Sequence, residues 1–195
     1  MKNALIIFIK NIEKGKVKTR LAATVGDDKA LQIYQALLGH TRKVASEVGA
    51  IRYLFYSSHL EKDEWPEKDF EKHVQTGDDL GIRMANGFKK VFEKNKNVVI
   101  IGSDCASLNS NILKRAFTLL TKTDFVVGPA QDGGYYLLGM NEYEPSVFEN
   151  IEWSTESVFS KTIENIELLN KKYALLPVLS DIDYEEDWLK YGWKL

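Results

Sequence analysis

Four aspartates stand where an apolar run ends or a glycine turn begins. They are Asp104 in "IGSDCASL" (101–108), Asp132 in "GPAQDGGYYLLG" (128–139), and Asp181 and Asp183 in "LSDIDYEED" (179–187). A hard divalent cation is commonly held by one or two carboxylates together with phosphate oxygens. Asp104 and Asp183 are the candidate pair for Mg²⁺ or Mn²⁺. Their basic counterpart is "KNIEKGKVKTRLA" (10–22), which gathers Lys14, Lys16, Lys18 and Arg20 around Gly15. This reads as an anion cradle with Lys18 and Arg20 as phosphate ligands, although the glycine and lysine order of a Walker A loop is missing. Asp132, followed by Gly133 and Gly134, has the chemistry to orient a hydroxyl or take its proton, with glycines leaving the approach clear.

Two more segments have ligand-binding composition. "QTGDDLGIRM" (75–84) offers Gly77, Asp78 and Arg83, and "WSTESVF" (153–159) offers Trp153 and Thr155. Each candidate also has a purely local role open to it. Asp132 suits an Asp-Gly turn, Asp104 or Ser107 a helix cap, and Asp183 with Glu186 a capping box. Arg83 has Asp78 and Asp79 within reach, Trp153 suits packing, and Thr155 suits the N-cap of the next helix. With one cysteine, Cys105, there is no internal disulfide. His40, His59 and His73 are too scattered for a zinc spacing.

The elements that must position these residues follow from the apolar pattern. Strand-sized runs occur at 4–9, 51–56, 98–101 and 124–128, with a weaker one at 72–75. Between them, helical stripes predict helices over 28–48, 79–94 and 109–121. Alternation of this kind implies an α/β fold, a parallel sheet with helices on both faces, and ligands beyond the carboxyl ends of the strands. "YYLLGM" follows "FVVG" too closely for a crossover helix, so at least one strand must run antiparallel. The tail predicts a helix over 155–169, a strand near 173–179 and a short helix after Tyr184.

Composition narrows the class. At 44% hydrophobic and 28% charged, the chain reads as an ordinary globular protein, and with no linker or repeat the expectation is a single domain over 1–195. A net charge of −2 without a long basic block argues against binding nucleic acid through its phosphates. The run "ALIIFI" is far too short for a bilayer span or a signal-peptide core, which predicts a cytoplasmic protein.

Read in order, "GKVKTRLA" (15–22), "GDDLGIRM" (77–84), "IGSDCASL", "GPAQDGGYYLLG", "WST" (153–155) and "DIDYEED" (181–187) resemble the bacterial DUF2064 family. That family is also described as glycosyltransferase-like, or as radical SAM/selenodomain-associated transferases. The resemblance implies the GT-A fold, a Rossmann-like, mostly parallel sheet used by nucleotide-diphospho-sugar transferases. It departs from the family pattern at Ile12, Lys14 and Ala106, where prolines are usual, and at Ser154, where glycine is common. Lost prolines predict a looser first loop.

The expectation is a metal-dependent transferase that takes a nucleotide or nucleotide sugar, glycosyl transfer being the reading that the resemblance favours. The acceptor and the oligomeric state stay open. Nucleotidyl transfer from an NTP to a phosphorylated small molecule, metal-assisted phosphate hydrolysis and a non-catalytic nucleotide-binding module are the alternatives.

Overall fold

A computed structural model describes residues 2–195. Six residues of continuous apolar sequence, Ala4–Ile9, form strand β1, and successive side chains go to opposite layers. Leu5, Ile7 and Ile9 pack with Tyr34, Leu38, Leu113 and Phe117 on one face. Ala4 and Ile6 pack with Met84, Phe88, Val91 and Ile166 on the other. A strand buried on both sides needs no polar alternation, which is why the sequence shows none.

The remaining strands are β2 (Ile51–Tyr56), β3 (Glu71–Val74), β4 (Val98–Ile101), β5 (Phe125–Pro129), β6 (Tyr135–Met140) and β7 (Tyr173–Leu175). They make one sheet in the order β3-β2-β1-β4-β6-β5-β7. Only β6 runs against its neighbours, pairing antiparallel with both β4 and β5. The start of β6 therefore lies at the same edge as the ends of β1, β4 and β5, and this edge collects the chemistry-bearing loops.

Helices α1 (Thr19–Val25), α2 (Asp27–Ser46), α3 (Leu80–Phe92), α4 (Ser110–Leu119), α5 (Val158–Leu168) and α6 (Glu185–Tyr191) complete the fold, with a 3₁₀ turn at Pro145–Phe148. Asp79 caps α3 by accepting from the Ile82 N–H at 2.8 Å, and Asn109 caps α4 by accepting from the Asn111 and Ile112 N–H groups.

Two departures from the sequence reading have physical causes. The tail strand stops at Leu175, although Leu179 still bridges Ala130. Pro177 lies between, and it has no N–H to continue a ladder. The second half of the basic loop folds into α1, whose seven residues are too few to show a helical stripe.

Candidate active site

The basic loop divides by burial. Lys14 pairs with Asp28 at 2.6 Å and Lys16 with Glu13 at 2.5 Å, both in solvent, with side chains 55% and 74% exposed. Lys18 is the opposite case, its side chain only 4% exposed. It takes the left-handed backbone conformation, φ 49° and ψ 44°, just before α1, an uncommon state for a residue with a Cβ. That turn sends its ammonium inward, to 3.1 Å from Asp104 Oδ2 and 3.6 Å from Asp183 Oδ1. Neither contact has hydrogen-bond geometry, so Nζ is buried without a hydrogen-bond partner. Arg20, on α1 and 61% exposed, donates from Nη1 to Asp183 Oδ2 at 3.0 Å.

Side chains hold this loop where prolines were missing. The Tyr34 hydroxyl accepts from the Lys10 N–H and donates to the Lys10 carbonyl, at 2.8 and 2.9 Å. Buried Asn11 accepts through Oδ1 from the Ser58 N–H and donates from Nδ2 to the His59 carbonyl. Neither residue was singled out in the sequence. A polar residue directly after a buried strand is the signal that marks Asn11.

The local roles considered for Asp104 and Asp183 go to other residues. Asn109 caps α4, which leaves Asp104 free, and neither Asp104 nor Ser107 is the cap. The Asp187 carboxylate, in place of Glu186, accepts from the Asp183 and Tyr184 N–H groups and so starts α6. Between the two tail aspartates, Ile182 is fully buried among Leu21, Ile33 and Leu37, and its N–H donates to the Asp104 carbonyl at 2.9 Å. That anchor brings the carboxyl-terminal loop against the loop after β4.

Two cavities open along this edge. The smaller, about 320 Å³, is lined by Lys10, Lys18, Arg20, Tyr34, Asp104 and Asp183 among others. The larger, about 470 Å³, has walls from Phe8, Leu80, Met84, Tyr135 and Trp153, with Asp132, Thr155, Glu156 and Asp181 at its polar positions. Arg20 borders both. Asp181, left unassigned from the sequence, faces the larger cavity while Asp183 faces the smaller. Burial above all, and then the charge of Asp104, pushes the Asp181 carboxyl up to about 7; Lys18 opposes the shift.

Asp132 keeps its turn role and its place in the site together. Its Oδ1 accepts from the Gly134 N–H at 2.9 Å, and the residue lines the larger cavity. Gly133 has φ 86°, and a Cβ there would lie 2.1 Å from the Glu156 carbonyl oxygen. The Asp132 turn and the 153–157 loop are therefore in direct backbone contact, reinforced by the Phe159 N–H donating to the Gly133 carbonyl. Trp153 lies against α3, where a Cβ on Gly81 would fall 2.4 Å from the indole.

Thr155 is not the N-cap of α5, which begins at Val158 after Ser157. Its hydroxyl instead donates to the Glu152 carbonyl and closes the turn. Gly77, Asp78 and Arg83 sit on and after the turn into α3, outside both cavity linings. Arg83 bonds the Gly77 carbonyl through Nε rather than Asp78 or Asp79. Cys105 is buried, and burial pushes its thiol up to about 12, away from the thiolate a nucleophile needs.

Fold and site together define a Rossmann-like α/β protein of the GT-A type, with an acid- and lysine-bearing rim at the carboxyl edge of its sheet. The chain belongs to the DUF2064 family, described as an uncharacterised protein conserved in bacteria, whose pattern matches residues 40–155. No curated protein matches it. Among solved structures, one described as a "putative nucleotide-diphospho-sugar transferase" from Desulfovibrio desulfuricans G20 is 31% identical, with a TM-score of 0.87 over 96% of this chain and 85% of that one. The inositol-1-phosphate CTP transferase of T. maritima shares the fold at 13% identity, with a TM-score of 0.63 over 96% and 91% of the two chains. Rv0371c of Mycobacterium tuberculosis H37Rv, solved in complex with manganese, shares it at 13% identity and a TM-score of 0.57 over 98% of both. Among the described residues no helix is long and apolar enough to cross a membrane.

Proposed function

We propose that the protein is a transferase that uses a nucleotide-activated donor, and that it transfers a glycosyl group from a nucleotide sugar. The observation that carries this reading is the Lys18 ammonium, buried at a cavity wall between the Asp104 and Asp183 carboxylates, at 3.1 and 3.6 Å. An ammonium has three N–H donors, more than these two contacts engage, and phosphate oxygens entering the smaller cavity supply further acceptors. Arg20, at the border of the two cavities, reaches the same phosphates from solvent. The 31% identity to a protein described as a "putative nucleotide-diphospho-sugar transferase" supports the glycosyl form of the reaction.

In the proposed step, an acceptor hydroxyl oxygen attacks the anomeric carbon of the donor sugar. The bond from that carbon to the phosphate oxygen breaks, and a nucleoside diphosphate departs with the electron pair. Asp132, held through Oδ1 by the Gly134 N–H, orients the hydroxyl and takes its proton on the free oxygen. Lys18 and Arg20 meet charge as it grows on the departing phosphate, which lowers the barrier more than it stabilises the bound donor.

A divalent cation fits the acid rim. Asp104 and Asp183 already converge on one cation, the Lys18 ammonium. Among the described residues no three His, Cys, Asp or Glu side chains form a ready-made metal cluster. Mg²⁺ or Mn²⁺ would thus be held by Asp104 and Asp183 with phosphate oxygens completing its shell, and when bound it would neutralise charge on the leaving phosphates.

A thermal-shift series of nucleotides and nucleotide sugars, each with and without Mn²⁺, tests the proposal. Stabilisation that needs a nucleotide and drops in Asp104→Asn supports it, since ligand at about a thousand times its dissociation constant adds roughly 4 kcal/mol. A flat series overturns it. Release of nucleoside diphosphate identifies glycosyl transfer, whereas pyrophosphate release identifies nucleotidyl transfer.

A further inference from the structure

The two cavities carry charge in opposite ways. The lysines that line a cavity here, Lys10 and Lys18, both line the smaller one. The charged residues at the larger cavity are Asp132, Glu156, Asp181 and Arg20, and Arg20 is already held by Asp183 at 3.0 Å. Two backbone donors of the Asp132 turn are also taken. The Gly134 N–H donates to Asp132 Oδ1 and the Gly133 N–H to the Ala130 carbonyl. Against that single arginine, the exposed carboxylates of Asp132 and Glu156 stand ready to repel a phosphate dianion.

What remains suits a different chemistry. Carboxylate oxygens accept hydrogen bonds from hydroxyl groups, and the aromatic faces of Trp153 and Tyr135 offer area to the C–H face of a saturated ring. The wall is preformed, because Trp153 lies against Gly81 with no space for even a methyl group between them. A volume of about 470 Å³ holds a six-membered ring together with part of a nucleoside.

We propose that the group seated in the larger cavity is a neutral, polyhydroxylated ring, a sugar or cyclitol carrying no phosphomonoester, recognised by Asp132 and Glu156 through its hydroxyls and by Trp153 through its face. This rests on the transferase reading above and narrows it, because a phosphorylated acceptor is excluded from this wall.

Ligand-observed saturation-transfer NMR on the intact chain with Mg²⁺ tests it, using matched pairs: glucose with glucose 1-phosphate, and myo-inositol with myo-inositol 1-phosphate. The neutral member of at least one pair receives the stronger transfer, by roughly tenfold. Trp153→Ala abolishes that signal, while Trp153→Phe, which keeps an aromatic face, retains part of it and guards against a folding defect. The double variant Asp132→Asn, Glu156→Gln shifts the ratio toward the phosphorylated member. A stronger signal for the phosphomonoesters in the unmodified protein, or none for any neutral ring, overturns the proposal. Thermal shifts by UDP, CDP and GDP on the same samples separate the two readings. Nucleotide stabilisation without ring binding sinks this inference alone, and ring binding without nucleotide stabilisation sinks the transferase reading.

Discussion

The two cavities share one sheet edge and one arginine, yet they are built by different physics. The smaller is organised by charge: a buried ammonium between two carboxylates, at 3.1 and 3.6 Å, with Tyr34 and Asn11 fixing the loop that delivers it. The larger is organised by close approach, with glycines at 81 and 133 letting an indole and a peptide carbonyl come where a Cβ would collide. Charge fixes the first and shape the second, so substitutions in the two places should fail differently.

The largest effect is expected at Lys18. Lys18→Met removes the one buried cation of the smaller cavity and should weaken nucleotide binding or turnover on the order of 100-fold. Lys14→Ala and Lys16→Ala, on the same loop but in solvent, should stay within roughly a factor of two. Equal losses at all three positions, in nucleotide titrations at fixed salt, would show that the loop acts as a diffuse basic patch and that burial does not distinguish Lys18.

The larger cavity should respond in stability first. At Gly133 an alanine would need a positive φ and would place its Cβ 2.1 Å from the Glu156 carbonyl oxygen, so Gly133→Ala should cost about 3 kcal/mol or more in urea unfolding. If the midpoint scarcely moves, the Asp132 turn and the 153–157 loop are not locked together, and the wall is not preformed.

This division also explains what could be read from the chain beforehand. β1, β2 and β4 were legible to the residue, because a strand buried on both faces leaves a continuous apolar run. Lys18, Arg20, Asp104, Asp132 and Asp183 were placed in the loops that follow strands, and those loops gather at one sheet edge. Burial is not written in the same way. Nothing local separates Lys18 from Lys14 or Lys16. Asp181 and Asp183 stand two residues apart, yet the segment runs past the sheet after Pro177 with Ile182 as its anchor, and the two carboxylates meet different cavities.

Asp181 gives the comparison a pH axis. Its carboxyl is held up to about 7 in the folded protein, against an ordinary value of 3.8, mainly by burial. Below about pH 4 it is protonated in both states. As pH rises toward 7 the unfolded chain ionises it freely while the folded chain resists, so stability present at low pH is lost, by roughly 4 kcal/mol in total. Asp181→Asn should flatten that part of the curve when unfolding is followed from pH 4 to 8 without added metal. If the slope survives the substitution, another group owns it.

The smallest effect tests where the strain of the larger cavity is held. Ser154 has φ 66°, a left-handed conformation in a residue with a side chain, between Trp153 and Thr155 on the wall. Such a residue costs about 1 to 2 kcal/mol relative to its relaxed state, and glycine avoids the clash but loses more entropy on folding. Ser154→Gly should therefore stabilise the protein by less than about 1 kcal/mol, read as a small rise in the urea midpoint. A midpoint that falls would mean that the serine hydroxyl contributes more to the wall than its backbone costs, and shape alone would no longer account for the larger cavity.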